Sequence, residues 1–326
     1  MGGDSATVHA ATPYMRWMLG GEGTILLLFL VSGIFRGAGD AAIAMRALWI
    51  ANGVNIVLDP CLIAGYGPFP ELGLAGAAIA TNIGRGLGVL YALSRLFSGH
   101  GRIGLGWSDV RFDPRVAVHL LRVSAGGIAQ YLIAGAAWIG LARVLATFGS
   151  IVLAGYVVAI RIVIFVILPA WGFSNAAATL VGQNLGAGRP DRAERAALLT
   201  GFWNMAFMLG IMMLFLFASE PIVRRFTDDA SVHRTAVDAL RIISYGYGFY
   251  AWGMVMSQAF NGAGDTTTPM FINLICFWAF QIPMALWMSH VMGPNGVFWA
   301  IALAYSLSAV VGLAVFRRGR WKLRQV

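Results

Sequence analysis

Along the chain, runs of about 20 mainly apolar residues recur between glycine, proline and charged positions, the length that a membrane-spanning helix needs. Nine such segments are expected, with approximate limits 14–36, 43–65, 75–97, 124–147, 151–183, 197–218, 238–260, 270–292 and 296–316. The fifth is long and holds Pro169, whose missing backbone donor predicts a bend.

The pattern repeats. "VSGIFRGAGDAAIAM" ends at Met45 and "MSQAFNGAGDTTTPM" at Met270, a lag of 225 residues that also pairs Arg16 with Arg241, Gly21 with Gly246 and Phe35 with Phe260. Farther on the lag shortens to 220, so that "GLAGAAIAT" from Gly73 faces "GPNGVFWAI" from Gly293. A solenoid repeats every ~20–50 residues, so this period points instead to two related halves of one architecture.

Composition fixes the solvent. Hydrophobic residues make up 59% of the chain, charged residues 11%, and the mean hydropathy is +0.73, far from the roughly 25% charged of a soluble domain. An all-α integral membrane protein follows. A net charge of +9 is compatible with a nucleic-acid partner, but its distribution argues otherwise. Arginines cluster around 95–122, at Arg189, Arg192 and Arg195, and in the tail from Arg317, and nine crossings place all three regions on one side. That asymmetry predicts a cytoplasmic C-terminus, an outside first residue and a multi-pass inner-membrane location. The loop with Arg224, Arg225 and Arg234 is an exception, offset in part by nearby acids.

The opening "MGGDSATVHAATPYMRW" lacks a basic region leading into an apolar core and misses the myristoylation pattern, and it reads as the interior of a loop. Cys61 and Cys276 predict neither a disulfide framework nor a metal site.

In both copies Gly-Ala-Gly-Asp follows an apolar helix and precedes the next. A glycine in the last turn permits a left-handed cap and the Asp can cap the helix that follows, so tight helix-to-helix turns are expected rather than a phosphate loop. "LVGQNLGAGRPDRAERA" reads as a helix exit, with Gln183 and Asn184 bonding freed carbonyls.

Ionisable side chains inside spans are costly and therefore candidates for function. Asp59 is the chief case, with Asn55 one turn earlier on the same face. Carboxylate and amide oxygens suit a hard cation such as Na⁺, and the carboxylate alone can exchange a proton. The spacing equally allows a hydrated Asp capping a turn at Pro60. Arg85, Arg143 and Arg161 also fall in or near spans, where structural roles are expected. Gln130, Trp138, Tyr156, Tyr247, Tyr250, Met254 and Gln258, with Trp252 and Met256, form a candidate lining for large apolar cations. Helix packing or lipid contact is the alternative for each.

Together, "FRGAGD", "NIVLDPCLIAGYGPFPELGLAGAAIAT", "LVGQNLGAGRPDRAERA" and "AFNGAGDTTTPM" resemble the multidrug and toxic compound extrusion (MATE) transporters, over nearly the whole chain and in family order. The resemblance implies two six-helix lobes. Counted back from the C-terminus, residues 124–326 would form a complete lobe and 1–123 only the last three helices of the other, plus the inter-lobe loop.

The resemblance also implies a secondary antiporter that exports organic, often cationic, compounds as H⁺ or Na⁺ enters, while the lobes rock between inward-open and outward-open states. In the DinF-like branch an Asn, an Asp and a Thr on the next helix form a cation site, matching Asn55, Asp59 and Thr81. The branch's further Asp on the first helix has no counterpart, which puts coupling in question. A NorM-like acidic site in the second lobe is disfavoured, because the matching helices carry no acid. A lipid-linked oligosaccharide flippase and a truncated or partner-dependent remnant are the alternatives. No enzyme is expected, since no nucleophile, base and orienting group share a span. The expected partners are small organic molecules and the bilayer, with no cofactor and no nucleic acid, for a monomer.

Overall fold

The computed structural model describes residues 5–99, 102–106, 109 and 111–323, and every regular element among them is helical. Two compact units divide the chain, Met1–Phe112 and Asp113–Val326.

The first unit holds α1 (Ser5–Gly20), α2 (Glu22–Gly37), α3 (Ala41–Ala64) and α4 (Leu74–Phe97). In the second are α5 (Pro114–Ala146), α6 (Ser150–Gly186), α7 (Pro190–Val223), α8 (Ala230–Ser244) and α9 (Tyr247–Gly262). Next come α10 (Thr267–Asn273), a π-helical stretch (Leu274–Gln281) and α11 (Ile282–Met292), which continue one another, and then α12 (Pro294–Arg317) and a 3₁₀ turn at Arg320–Leu323.

Among the described residues six helices are long and apolar enough to cross a membrane, or seven if α1 and α2, bent by 40° at Gly21, count as one span. The two other expected spans differ for local reasons. Residues 74–97 are one helix, but Asn82, Arg85 and Arg95 dilute its hydropathy. The stretch 238–260 is interrupted between Ser244 and Tyr247, leaving two helices of 15 and 16 residues. α6 runs unbroken through Pro169.

Burial accords with lipid as the solvent. In α12, 56% of the most apolar window is buried, against 17–28% in the other long helices, so α12 is the central helix of its unit and the rest turn apolar faces outward. Trp49, Ile139, Phe165 and Phe217 are each more than 70% exposed, a surface that water would not tolerate over such an area.

The repeated sequence folds into repeated geometry. Gly39 and Gly264 take φ 83° and 72°, the left-handed region where a side chain is strained. Asp40 N–H donates to the Phe35 carbonyl at 2.8 Å and Asp265 N–H to that of Phe260 at 2.9 Å, the 6→1 closure of a Schellman turn. Capping by the carboxylates is unequal. Asp265 accepts from the backbone and hydroxyl of Thr268 at 3.2 and 2.7 Å, whereas Asp40 makes no side-chain cap bond. Downstream, Gly73 and Gly293 share φ 53° and 61° and each accepts from the glycine three residues on, at 3.0 Å.

Both helix breaks fall on the paired glycines Gly21 and Gly246. Each backbone rests on the last helix of its unit, so that a β-carbon would meet the Asn82 amide at 2.1 Å and the Ala302 carbonyl oxygen at 2.8 Å respectively. Asn82 and Ala302 are themselves partners at the 220-residue lag.

Candidate functional site

In the first unit, close backbone approach builds the site. Gly76, Gly84 and Gly88 lie on one face of α4, and β-carbons there would stand 2.3, 2.4 and 2.8 Å from the carbonyl oxygens of Leu62, Ala51 and Ala47 on α3. Small residues at helical spacing let two apolar helices touch along their backbones, where dispersion replaces the hydrophobic drive that lipid removes. This contact carries Asn55 and Asp59 of α3 up to Thr81 of α4.

There the Asn55 Nδ2 donates to Asp59 Oδ1 and to Thr81 Oγ1, both at 3.1 Å, and the Thr81 hydroxyl donates to the Ala77 carbonyl at 2.8 Å. All three side chains are half-buried. Asp59 lies inside α3, which continues to Ala64, so it caps no turn at Pro60. The amide nitrogen occupies the point where the carboxylate and the hydroxyl converge. Turned by half a turn, the same amide would offer oxygen to that point, giving three hard donors with a single negative charge. Such a set fits a monovalent cation, and Asp59 alone fits a proton. No group of three or more His, Cys, Asp and Glu residues occurs among the described residues, so a softer or more highly charged metal finds no comparable set.

A groove of about 650 Å³ opens beside the α1–α2 break, lined by Arg16, Trp17, Gly21 and Asn82. The Asn82 amide donates to the Trp17 carbonyl at 2.6 Å, which also accepts from the Gly21 N–H at 3.0 Å, and so ties the end of α1 to α4. Nothing in the apolar pattern marked it.

The second unit holds a half-open cavity of about 180 Å³ that Gln130, Tyr250, Met254 and Gln258 help to line. Its polar wall is a chain of amides. Gln130 Nε2 donates to Asn261 Oδ1 at 3.1 Å and to the Thr266 carbonyl at 2.8 Å. Asn261 Nδ2 donates to Gln130 Oε1 at 3.3 Å and Gln258 Oε1 at 3.0 Å, and Gln258 Nε2 donates to Asn175 Oδ1 at 3.2 Å. The ladder ties α5, α9 and α6 together. Tyr131 and Trp171 meet edge to face at 6.4 Å, and Tyr250 stacks on Tyr305 at 3.9 Å.

Other expected cavity residues lie elsewhere. Tyr156 stacks on Phe298 at 6.2 Å within the core, and Tyr247 is fully buried edge-on to Phe215. Both follow the packing alternative, because α12 and α7 cover those faces. Trp138 is 42% exposed on α5. Trp252 donates to Met205 Sδ at 3.1 Å, and Met256 is fully buried. Asn261, Asn273 and Ser174 do line the cavity and were not anticipated. For Asn261 a signal existed, since it replaces the arginine of "FRGAGD" inside an otherwise repeated string. Arg143 and Arg161 are exposed and Arg85 is half-buried, with no ion pair to any of them among the described residues. Asn184 bonds the Leu180 carbonyl at 2.7 Å, as its place at a helix exit suggests.

A family model described as MatE matches residues 1–61 and 138–287. The chain is 27% identical over 325 residues to a probable multidrug resistance protein NorM of Thermotoga maritima, covering 97% of this chain and 68% of that protein. It superposes with TM-score 0.91 and 26% identity on a MOP superfamily transporter from Pyrococcus furiosus, over all of this chain and 73% of that one. A multidrug resistance MATE family transporter in an outward-facing conformation gives TM-score 0.89 at 27% identity, over 98% and 71%. The chain thus belongs to the MatE family of multidrug and toxic compound extrusion proteins, membrane transporters rather than enzymes.

Proposed function

We propose that the protein works in a secondary active antiporter that exports organic compounds, cations among them, across the inner membrane in exchange for H⁺ or Na⁺. The observation that carries this reading is the convergence of Asp59, Asn55 and Thr81 on one point within a span. A carboxylate within a span is costly to desolvate and is for that reason a candidate for function. Binding of a proton or Na⁺ replaces the donated Asn55 N–H, changes the contacts that hold α3 to α4, and so favours one of two access states over the other. The Asn55–Asp59–Thr81 set follows the DinF-like pattern.

The cavity beside Gln130 and Gln258 supplies substrate contacts. Matching turns and matching glycine contacts support reading the three spans of the first unit as counterparts of the last three of six in the second, nine in all, acting as a monomer with a cytoplasmic C-terminus. Proteoliposomes holding the chain, loaded with a fluorescent organic substrate and subjected to an imposed pH or Na⁺ gradient, provide the test. Gradient-driven efflux that Asp59→Asn abolishes is expected; efflux of the variant with undiminished gradient dependence would sink the proposal.

A further inference from the structure

The amide-walled cavity in the second unit has a chemistry of its own. We infer that it selects uncharged, planar ring compounds bearing an amide-type edge, a lactam or imide whose N–H and C=O lie side by side, over organic cations. This inference rests on the reading of that cavity as a substrate-contacting site and narrows the compounds it contacts to uncharged ones, leaving cations to be held elsewhere.

Hydrogen-bond accounting supports it. Within the ladder both N–H groups of Gln130 and both of Asn261 are engaged, so these two side chains hold the wall in place and have no N–H left to give. The groups left to a ligand are different ones. Gln258 spends one N–H on Asn175 and keeps the other. Asn273 lines the cavity, and neither its amide N–H groups nor its amide oxygen has a partner among the described residues. An amide in that condition offers a donor and an acceptor a short distance apart in one plane. A lactam or imide edge answers both at once, whereas a ligand lacking either replaces only one of the two hydrogen bonds that this half-buried amide makes with water.

The remaining walls suit a flat ring. Tyr131 and Trp171 are fixed against each other, and Tyr250 is held by stacking on Tyr305, so aromatic faces are presented with little entropy left to lose. The volume of about 180 Å³ falls below the roughly 300–1,000 Å³ of pockets for drug-sized ligands, so the part of a ligand seated within it is one or two fused rings.

Charge completes the argument. Among the described residues the lining contains no Asp, Glu, Lys or Arg. Asp265, next in sequence to the Thr266 carbonyl that Gln130 binds, directs its carboxylate to Thr268. A cation entering here loses water and gains only aromatic faces and dipoles, without the carboxylate that would compensate.

Three compounds on one bicyclic frame separate the possibilities: phthalimide, with a neutral imide edge; N-methylphthalimide, with the N–H blocked; and protonated isoindoline, a cation. Binding to the full chain in nanodiscs is measured by equilibrium dialysis. Phthalimide should bind at least about tenfold more tightly than either analogue. Asn273→Leu should remove that advantage, and Asn273→Asp, nearly the same in shape, should move the preference to isoindolinium. Equal or tighter binding of the cation by the unaltered chain, no binding of phthalimide, or an Asn273→Asp chain that still prefers phthalimide would overturn the inference. Dialysis needs no transport, so a failure of antiport and a failure of this selectivity are read separately.

Discussion

A β-carbon on Gly84 would stand 2.4 Å from the carbonyl oxygen of Ala51. That contact sets the distance between α3 and α4, and with it the distance from Asn55 to Thr81. Gly84→Ala must therefore push the helices apart, because the obstacle is backbone and cannot rotate away. Overpacking of this kind costs about 1–3 kcal/mol. The matched control is Gly53→Ala on the open face of α3, where nothing lies within 4 Å and where the change should raise stability by about 0.4–1 kcal/mol. Thermal unfolding in one detergent should show the two midpoints moving in opposite directions. A Gly84→Ala midpoint equal to or above that of the parent chain would mean that the backbones do not meet as described.

The site separates its two candidate ions by the number of donors each needs. A proton requires Asp59 alone, whereas Na⁺ requires several oxygens and draws on Asn55 and Thr81 as well. Asn55→Leu is expected to abolish Na⁺-driven efflux while leaving a pH-driven component, and Asp59→Asn to abolish both. Transport in liposomes under each gradient alone measures this. Loss of the pH-driven component in Asn55→Leu, with the protein still folded, would show that the amide acts on the proton too.

Much of this was legible in the sequence, for reasons that particular residues make plain. The paired strings around Gly39 and Gly264 announced two equivalent turns, because only a glycine enters the left-handed region without strain. Asn55 and Asp59 announced themselves by helical spacing, and Thr81 through the family resemblance. The Tyr156 and Tyr247 positions misled, since an aromatic on an apolar helix reads the same whether it faces a cavity or Phe298 and Phe215. Asn175 and Asn261 were hard to read for the converse reason. A single polar residue in an apolar helix looks like an ordinary packing residue until α5, α6 and α9 bring the amides together. Which side of a helix faces a partner is decided by tertiary packing, and the apolar pattern is uninformative where lipid and protein interior are equally apolar.

Asn261 gives a sharper test of the amide ladder. Replacing it with Leu removes both donors that satisfy Gln130 Oε1 and Gln258 Oε1. The bond to Gln130 crosses from α9 to α5 and that to Gln258 lies within α9; interhelical bonds in membranes average about 0.6 kcal/mol and reach about 1.7 kcal/mol, so with the two acceptors left behind a loss of roughly 1–3 kcal/mol is expected. Its sequence counterpart Arg36 joins no such ladder, and Arg36→Leu should cost much less. Unfolding by a denaturing detergent compares the two variants directly, and equal losses would count against the ladder.

At the other end of the second unit, Lys322 makes an ion pair with Glu194 on α7 and approaches Asp191 at 3.8 Å. Trp321 beside it is buried, stacks on Phe316 at 4.6 Å and donates to the Phe316 carbonyl at 2.9 Å, so the 3₁₀ turn is pinned to α12 and Lys322 reaches α7. The hydrogen bond to Glu194 is the main cause that holds the Lys322 ammonium above its ordinary pKa, with Coulomb attraction from Glu194 and Asp191 adding to it and partial burial opposing it. A lysine raised on folding contributes stability that is fully present below the unfolded value, about 10.4, and that is lost as pH rises through the folded one. The unfolding midpoint should therefore show no Lys322 effect between neutral pH and about pH 10, then fall above it. Glu194→Gln should lower the midpoint at neutral pH and lessen the alkaline fall. The two chains should converge at high pH, where Lys322 is neutral in both; a difference that persists unchanged there would assign the role of Glu194 to packing rather than to charge.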